Sequence, residues 1–168
     1  MEILFVIGFI FLLVSKNSAQ KKAAVFMPDK AALESIRILY GSSITQSLED
    51  WNIPDVDSNL IVSQIYVESH GDVHASGDGG NSFGLMQIQK QAIQDVIEYG
   101  ENNNFQLLSN SLDDVMQNIY NSDLNIHYGI GYLAYLMNTY SLNINEALQK
   151  YNTGSGYAAK ILACKQLL

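Results

Sequence analysis

Between Leu60 and Val67 the chain reads LIVSQIYV, and wound into a helix this stretch leaves almost no polar face. At ~100° per residue, Leu60, Ile61, Val62, Ile65, Tyr66 and Val67 spread over most of the circumference. A helix that is apolar nearly all round has to be covered on every side, so the rest of the fold is obliged to wrap it. The run ends on Glu68, whose side chain projects close to Ile61 and Ile65 and so meets apolar neighbours. Desolvation raises a carboxyl pKa, and the negative end of the helix dipole acts in the same direction. A protonated carboxyl facing a cleft can give a proton to a leaving oxygen, as glycosidic cleavage requires. The wheel also allows a plainer reading, in which Glu68 emerges into water at the helix end.

The remaining periodicity is mostly helical. AALESIRILYG predicts a helix closing at Gly41, with Leu33, Ile36, Leu39 and Tyr40 as its apolar set, and Trp51 to Pro54 read as a break. Asp57-Ser58 offers an N-cap for the helix from Asn59 to about Ser69, with Gly71 placed to end it in a left-handed conformation. Gly71, Gly77, Gly79 and Gly80 are too many for a helix and predict a loop or short hairpin over residues 71–83. A helix follows from Lys90 to Tyr99, stopping at Gly100. Ser111 with Asp114 resembles a capping box for a short helix. A longer one starts at Ser122-Asp123 and runs to about Tyr140, its stripe Ile126, Ile130, Leu133 and Met137. Gly129 and Gly131 in it are expected to mark close packing against the Glu68 helix, and Tyr128, Tyr132 and Tyr135 to be core and rim packing. Asn143 or Asn145 begins the next helix, and Tyr157 opens the last. There is no internal repeat, and the expected fold is mainly α with one glycine-rich insertion.

A chain of 168 residues suits one domain of ordinary core size. Its net charge of -8 argues against nucleic acid as a partner, because phosphate binding needs a basic surface. The dozen apolar residues from Ile3 to Val14 are too few to span a bilayer comfortably and match a signal-peptide core. Residues 1–19 are therefore read as a signal peptide, with an uncleaved anchor as the competing reading. Residues 20–57 are read as an N-terminal helical extension and 58–168 as the main domain. With no membrane span in the mature form, the protein is expected to be exported, to the periplasm or beyond the cell, and monomeric. Cys164 is the only cysteine, so no internal disulfide is possible, and it is expected to be a small core residue.

Four motifs in order then carry a resemblance: ESH at 68–70, GDGGNSFGLMQI at 77–88, DLNIHYGIGYLAYL at 123–136 and YNTGSG at 151–156. Together they resemble the goose-type lysozymes and the related lytic transglycosylases, from about Ile61 to Gly156. The resemblance implies a lysozyme-like helical domain acting on peptidoglycan, at the β-1,4 bond between N-acetylmuramic acid and N-acetylglucosamine, without cofactor or metal. It implies Glu68 as the catalytic acid. It also implies Ser69, His70, Ser82, Gly84, Met86, Gln87, Tyr151 and Asn152 as residues of the saccharide site. Within that set Gln87 would hydrogen-bond sugar, Gly84 would let the backbone approach the ligand, and Tyr151 would approach the catalytic carboxyl group. Position 150, usually alanine in the pattern, is Lys150.

The two branches differ in what attacks the anomeric carbon. An inverting hydrolase needs a second carboxylate to activate water, whereas a transglycosylase uses the sugar's own C6 hydroxyl and leaves a 1,6-anhydro end. Asp78 falls where the lysozymes keep a water-positioning aspartate, but their other one aligns with Gln89. The asparagine-isoleucine start and G-x-x-Y-L ending at 123–136 lean toward the transglycosylase branch, which is the expected function. A hydrolase using Asp78, and a glycan-binding protein without turnover, are the alternatives.

Overall fold

The structure is a computed structural model and describes residues 26–168, so the segment read as a signal peptide lies outside the described residues. Seven helices and a three-stranded antiparallel sheet make up the described part. Helix α1 spans Lys30–Trp51, α2 Ser58–Ser69, α3 Lys90–Asn103, α4 Leu112–Gln117, α5 Ser122–Tyr140, α6 Ile144–Tyr151 and α7 Tyr157–Lys165. Strands β1 (Ser76–Gly77), β2 (Ser82–Phe83) and β3 (Ile88–Gln89) lie in the order β1-β2-β3, with Ser76 opposite Phe83 and Ser82 opposite Gln89.

Capping residues set most of the helix starts. The Asp29 carboxylate accepts from the amides of Ala31 and Ala32, Asp57 from Leu60, Ser111 from Asp114 and Asn121 from Leu124. Asn143 closes a full capping box with Glu146, and each such cap is worth about 1 kcal/mol. The mainly helical expectation holds, and the elements differ from their expected limits for local reasons. Helix α1 runs through Gly41 to Trp51, because Ile44, Ser47 and Trp51 continue the stripe begun by Leu33 and Ile36 and bury with it. Leu39 lies off that stripe and is exposed. Helix α2 ends at Ser69 as expected, but His70 and not Gly71 is its left-handed cap, at φ 55°. Helix α3 continues past Gly100, whose missing Cβ leaves room for Leu107 and Trp51. Ile88, just after the GLMQ phrase, opens the third strand with Gln89.

One core joins all the helices, Cys164 included. Helix α2 packs against α1 and α7, while α5 packs against α1, α3 and α6. The two glycines of α5 accordingly do not serve α2: a Cβ on Gly129 would meet Met86, and one on Gly131 would meet Trp51 and Val96. Their role is to let α5 approach the loop after β2 on one side and α1 with α3 on the other. The sheet therefore projects from the end of α2, held against α5.

Candidate active site

The C-terminal end of α2, the sheet and the α6–α7 junction enclose a cleft of about 490 Å³. Glu68 reaches it from the last turn of α2, and Asp78, Ser82, Gln87, Tyr151 and Asn152 line it with Glu68. Six of the ten residues singled out from sequence are thus gathered around one space. Ser69, His70, Gly84 and Met86 are not among its lining residues.

Glu68 is partly buried, and its pKa rises from 4.5 to about 7. Burial is the largest cause. Hydrogen bonds from Tyr157 and Asn152 pull the other way, and the Asp78 carboxylate adds a smaller rise. The Tyr157 hydroxyl donates to Glu68 Oε1 at 2.5 Å and accepts from Gln64 Nε2 at 3.0 Å. Gln64 lies four residues before Glu68 on α2 and is wholly buried, so both side chains leave the same helix face and meet at one hydroxyl. Burial and the nearby Glu68 charge push the Tyr157 phenol far up, so it is a donor and not an ion at any ordinary pH. Near neutrality Glu68 is divided between acid and carboxylate, with a hydroxyl fixed at its edge in both forms.

The wall opposite Glu68 is the GLMQ segment, and nearly every polar group in it is committed to holding the wall in place. Ser69 Oγ donates to Leu85 O at 2.9 Å and lies 3.1 Å from Ile65 O, tying the end of α2 to the wall. Asn125 on α5 accepts from Met86 N at 2.8 Å and donates to Phe83 O and Ile119 O, both at 3.0 Å. The Tyr151 hydroxyl donates to Met86 O at 2.9 Å. Gln87 donates through Nε2 to Gly84 O at 2.9 Å and Ala75 O at 3.1 Å.

These placements show what each side chain touches. Met86 is wholly buried under Gly129, because a long apolar side chain beside a glycine gap gains more by filling it than by facing water. Ser69 is buried and occupied with carbonyls. At Gly84, φ 69°, a side chain would collide with the Asn125 amide, so its openness admits that wall contact. His70 caps α2 and packs its ring, tilted by 52°, 4.8 Å from that of Tyr66. Tyr151 faces the cleft, but its hydroxyl is spent on Met86, and Tyr157 is the tyrosine that touches the carboxyl group.

On the sheet, Ser82 Oγ donates to Asp78 Oδ2 at 2.7 Å and Gln89 Nε2 donates to the same oxygen at 3.1 Å. The second carboxylate of the cleft is therefore clamped to its own hairpin. At the far side of the cleft are Gln91 and Asp95 from α3, Tyr132 from α5 and Lys150 from α6. Sequence reasoning did not place Tyr157, Gln64 or Asn125 at the site. Gln64 was findable from its i, i-4 relation to Glu68; Tyr157 lies 89 positions away and left no local signal.

The transglycosylase SLT domain family matches residues 49–166. Among solved structures, an inactive mutant of the lytic transglycosylase Slt from Pseudomonas aeruginosa is similar in fold, with a TM-score of 0.54 at 19% identity. The alignment covers 74% of this chain and 18% of that one, so this chain spans less than a fifth of that enzyme's length. No curated protein sequence matches significantly.

Proposed function

This chain belongs to the transglycosylase SLT domain family, and from that premise we propose that it is a peptidoglycan lytic transglycosylase with Glu68 as both acid and base. In the first step Glu68 gives its proton to the glycosidic oxygen between N-acetylmuramic acid and N-acetylglucosamine, and the C1–O bond breaks. In the second, the Glu68 carboxylate takes the proton of the C6 hydroxyl as that oxygen bonds to C1, closing the 1,6-anhydro ring. The proton lost in one step is regained in the other, so no water is consumed. The observation that carries this reading is the pKa of about 7 at a cleft-facing glutamate, since a group with both jobs works best near the ambient pH.

Around Glu68, Tyr157 and Asn152 hold the carboxyl group in orientation, while the wired GLMQ wall and Tyr151 confine the strand beside it. The clamped Asp78 supports this branch, because two donors on one of its oxygens hold it to the hairpin, away from any free swing toward a water. Gln89 is spent on the same clamp. One observation favours the hydrolase as a second reading: Asp78 faces the same cleft and is close enough to add to the rise in the Glu68 pKa. Export fits a wall substrate, and no helix among the described residues is long and apolar enough to cross a membrane. A cleft completed within one chain fits a monomer.

Mass spectrometry of muropeptides released from purified sacculi tests the choice. Products ending in 1,6-anhydro sugars, lighter by one water than hydrolysed ends, are expected. Fully hydrolysed ends would move the enzyme to the lysozyme branch.

A further inference from the structure

The cleft is lined by three acids, Glu68, Asp78 and Asp95, and by one cation, Lys150. Lysine stands where the resembling pattern keeps alanine. It occupies the last turn of α6, where the helix dipole favours a positive charge. Its Nζ lies 4.3 Å above the centre of the Tyr140 ring, a cation–π contact that orients the ammonium without neutralising it. The ion pairs among the described residues are Arg37–Glu34 and Lys165–Asp57, so Lys150, like Lys30, Lys90 and Lys160, is in none. Asp95, the acid on its side of the cleft, accepts from Gln91 instead.

The position of this charge is informative. From Tyr151 beside Glu68, ring contacts step through Tyr132 at 5.3 Å, Tyr135 at 5.9 Å and Tyr140 at 5.9 Å. Lys150 stands on the last of these rings. A cation next to Glu68 would pull its pKa down, whereas the groups acting on Glu68 are Tyr157, Asn152 and Asp78. Lys150 thus offers a positive charge at the cleft edge without spoiling the acid.

A glycan strand is neutral except for its carboxylates, and an acidic cleft repels those. We propose that Lys150 forms a subsite for a carboxylate substituent of the bound strand. Such a group has two sources, the lactyl carboxylate of a muramoyl residue stripped of its peptide and the carboxylates of an intact peptide stem. Lysine acts here as a point charge on a flexible stem, so it selects for charge and not for the planar fit an arginine would demand. The proposal rests on the glycan-cleaving reading above.

The test uses the full chain carrying Glu68→Gln, so that binding is read without turnover, and compares Lys150 with Lys150→Ala and Lys150→Glu. Calorimetry is run with three glycan fragments: one with free lactyl carboxylates, one with peptide stems, and one whose carboxylates have all been amidated. Weakening of about three-fold for Lys150→Ala and about ten-fold for Lys150→Glu is expected on a carboxylate-bearing fragment, the size of an exposed ion pair gained or reversed. No change is expected on the amidated fragment. Whichever charged fragment responds identifies the source, and its response should fade as salt is raised. Affinities that ignore residue 150, or that fall equally on the amidated fragment, would overturn the subsite while leaving the glycan-cleaving reading intact. If the parent protein binds none of the three fragments, the functional reading fails and the subsite fails with it.

Discussion

Glu68 and His127 are both taken out of water, one at the mouth of the cleft and the other inside the bundle, and burial moves each toward its neutral form. For Glu68 the move goes up, from 4.5 to about 7, and stops where both protonation states are populated. For His127 it goes down, from 6.5 to about 4, burial outweighing the opposing effects of Asp50 and the Gln106 backbone. The difference lies in the surroundings. His127 is walled by the rings of Trp51 and Tyr128, its Nδ1 is 3.6 Å from Asp50, and neither ring nitrogen has a hydrogen-bond partner among the described residues. It is a packing residue that stays uncharged, and beyond the helix its backbone carbonyl accepts from Trp51 Nε1. Glu68 has a hydroxyl at its edge and a cleft in front of it. Burial alone shifts a pKa; access and a fixed partner are what turn the shift into chemistry.

The comparison breaks most sharply on activity. Glu68→Gln keeps the shape and removes the proton donor, so lysis of sacculi should fall by about a thousand-fold. His127→Leu, of similar volume, should leave the turnover within about two-fold once folding is confirmed, since nothing near the cleft depends on it. Comparable losses from both substitutions would erase the distinction between the two sites.

The next contrast is in stability against pH. Between pH 4.5 and about 7 native Glu68 keeps a proton that the unfolded chain has lost, so its contribution is whole below pH 4.5 and drains away as pH rises toward 7. Native His127 lacks, between pH 6.5 and about 4, a proton that the unfolded chain has gained. Its contribution is therefore whole above pH 6.5 and drains away as pH falls toward 4. The swing is up to ~3 kcal/mol for His127 and smaller for the partly exposed Glu68. Across pH 4.5–6.5 the two slopes oppose each other, so relative to the parent protein denaturant midpoints should rise with pH in Glu68→Gln and fall with pH in His127→Leu.

A smaller effect sharpens the role of the partner. Tyr157→Phe removes a donor that favours the ionised Glu68, so the pH-activity profile should move upward by about one unit. It also strips the buried Gln64 amide of its hydroxyl, costing about 1–3 kcal/mol of stability. An unmoved profile would mean that the 2.5 Å contact does not tune the acid.

What could be read from the chain divides along the same line. Glu68 was legible because an apolar helix that ends in an acid is a local pattern, and so were the caps at Asp57 and Ser111, while the next-to-last helix start was narrowed to Asn143 or Asn145. The hairpin was foreseen as a possibility from its glycines. The groups that make Glu68 useful were not legible in this way, because they arrive from distant parts of the chain. Tyr157 comes from the last helix and Asn125 from the middle of α5, and neither residue type announces its partner. Gly84 shows the limit most plainly: its need to be small was apparent, but the Asn125 amide that fills the space was not. Gly41 misled in the other direction. A glycine in a helix costs only about 1 kcal/mol, and the burial of Ile44 and Trp51 carried the helix through it.

The central claim is that this cleft holds Glu68 as an acid near neutral pH, and the direct measurement is a ¹³C NMR titration of the Glu68 side-chain carboxyl. It is assigned by the resonance that disappears in Glu68→Gln. The expected midpoint is about 7; a midpoint at the ordinary glutamate value of 4.5 would contradict the claim.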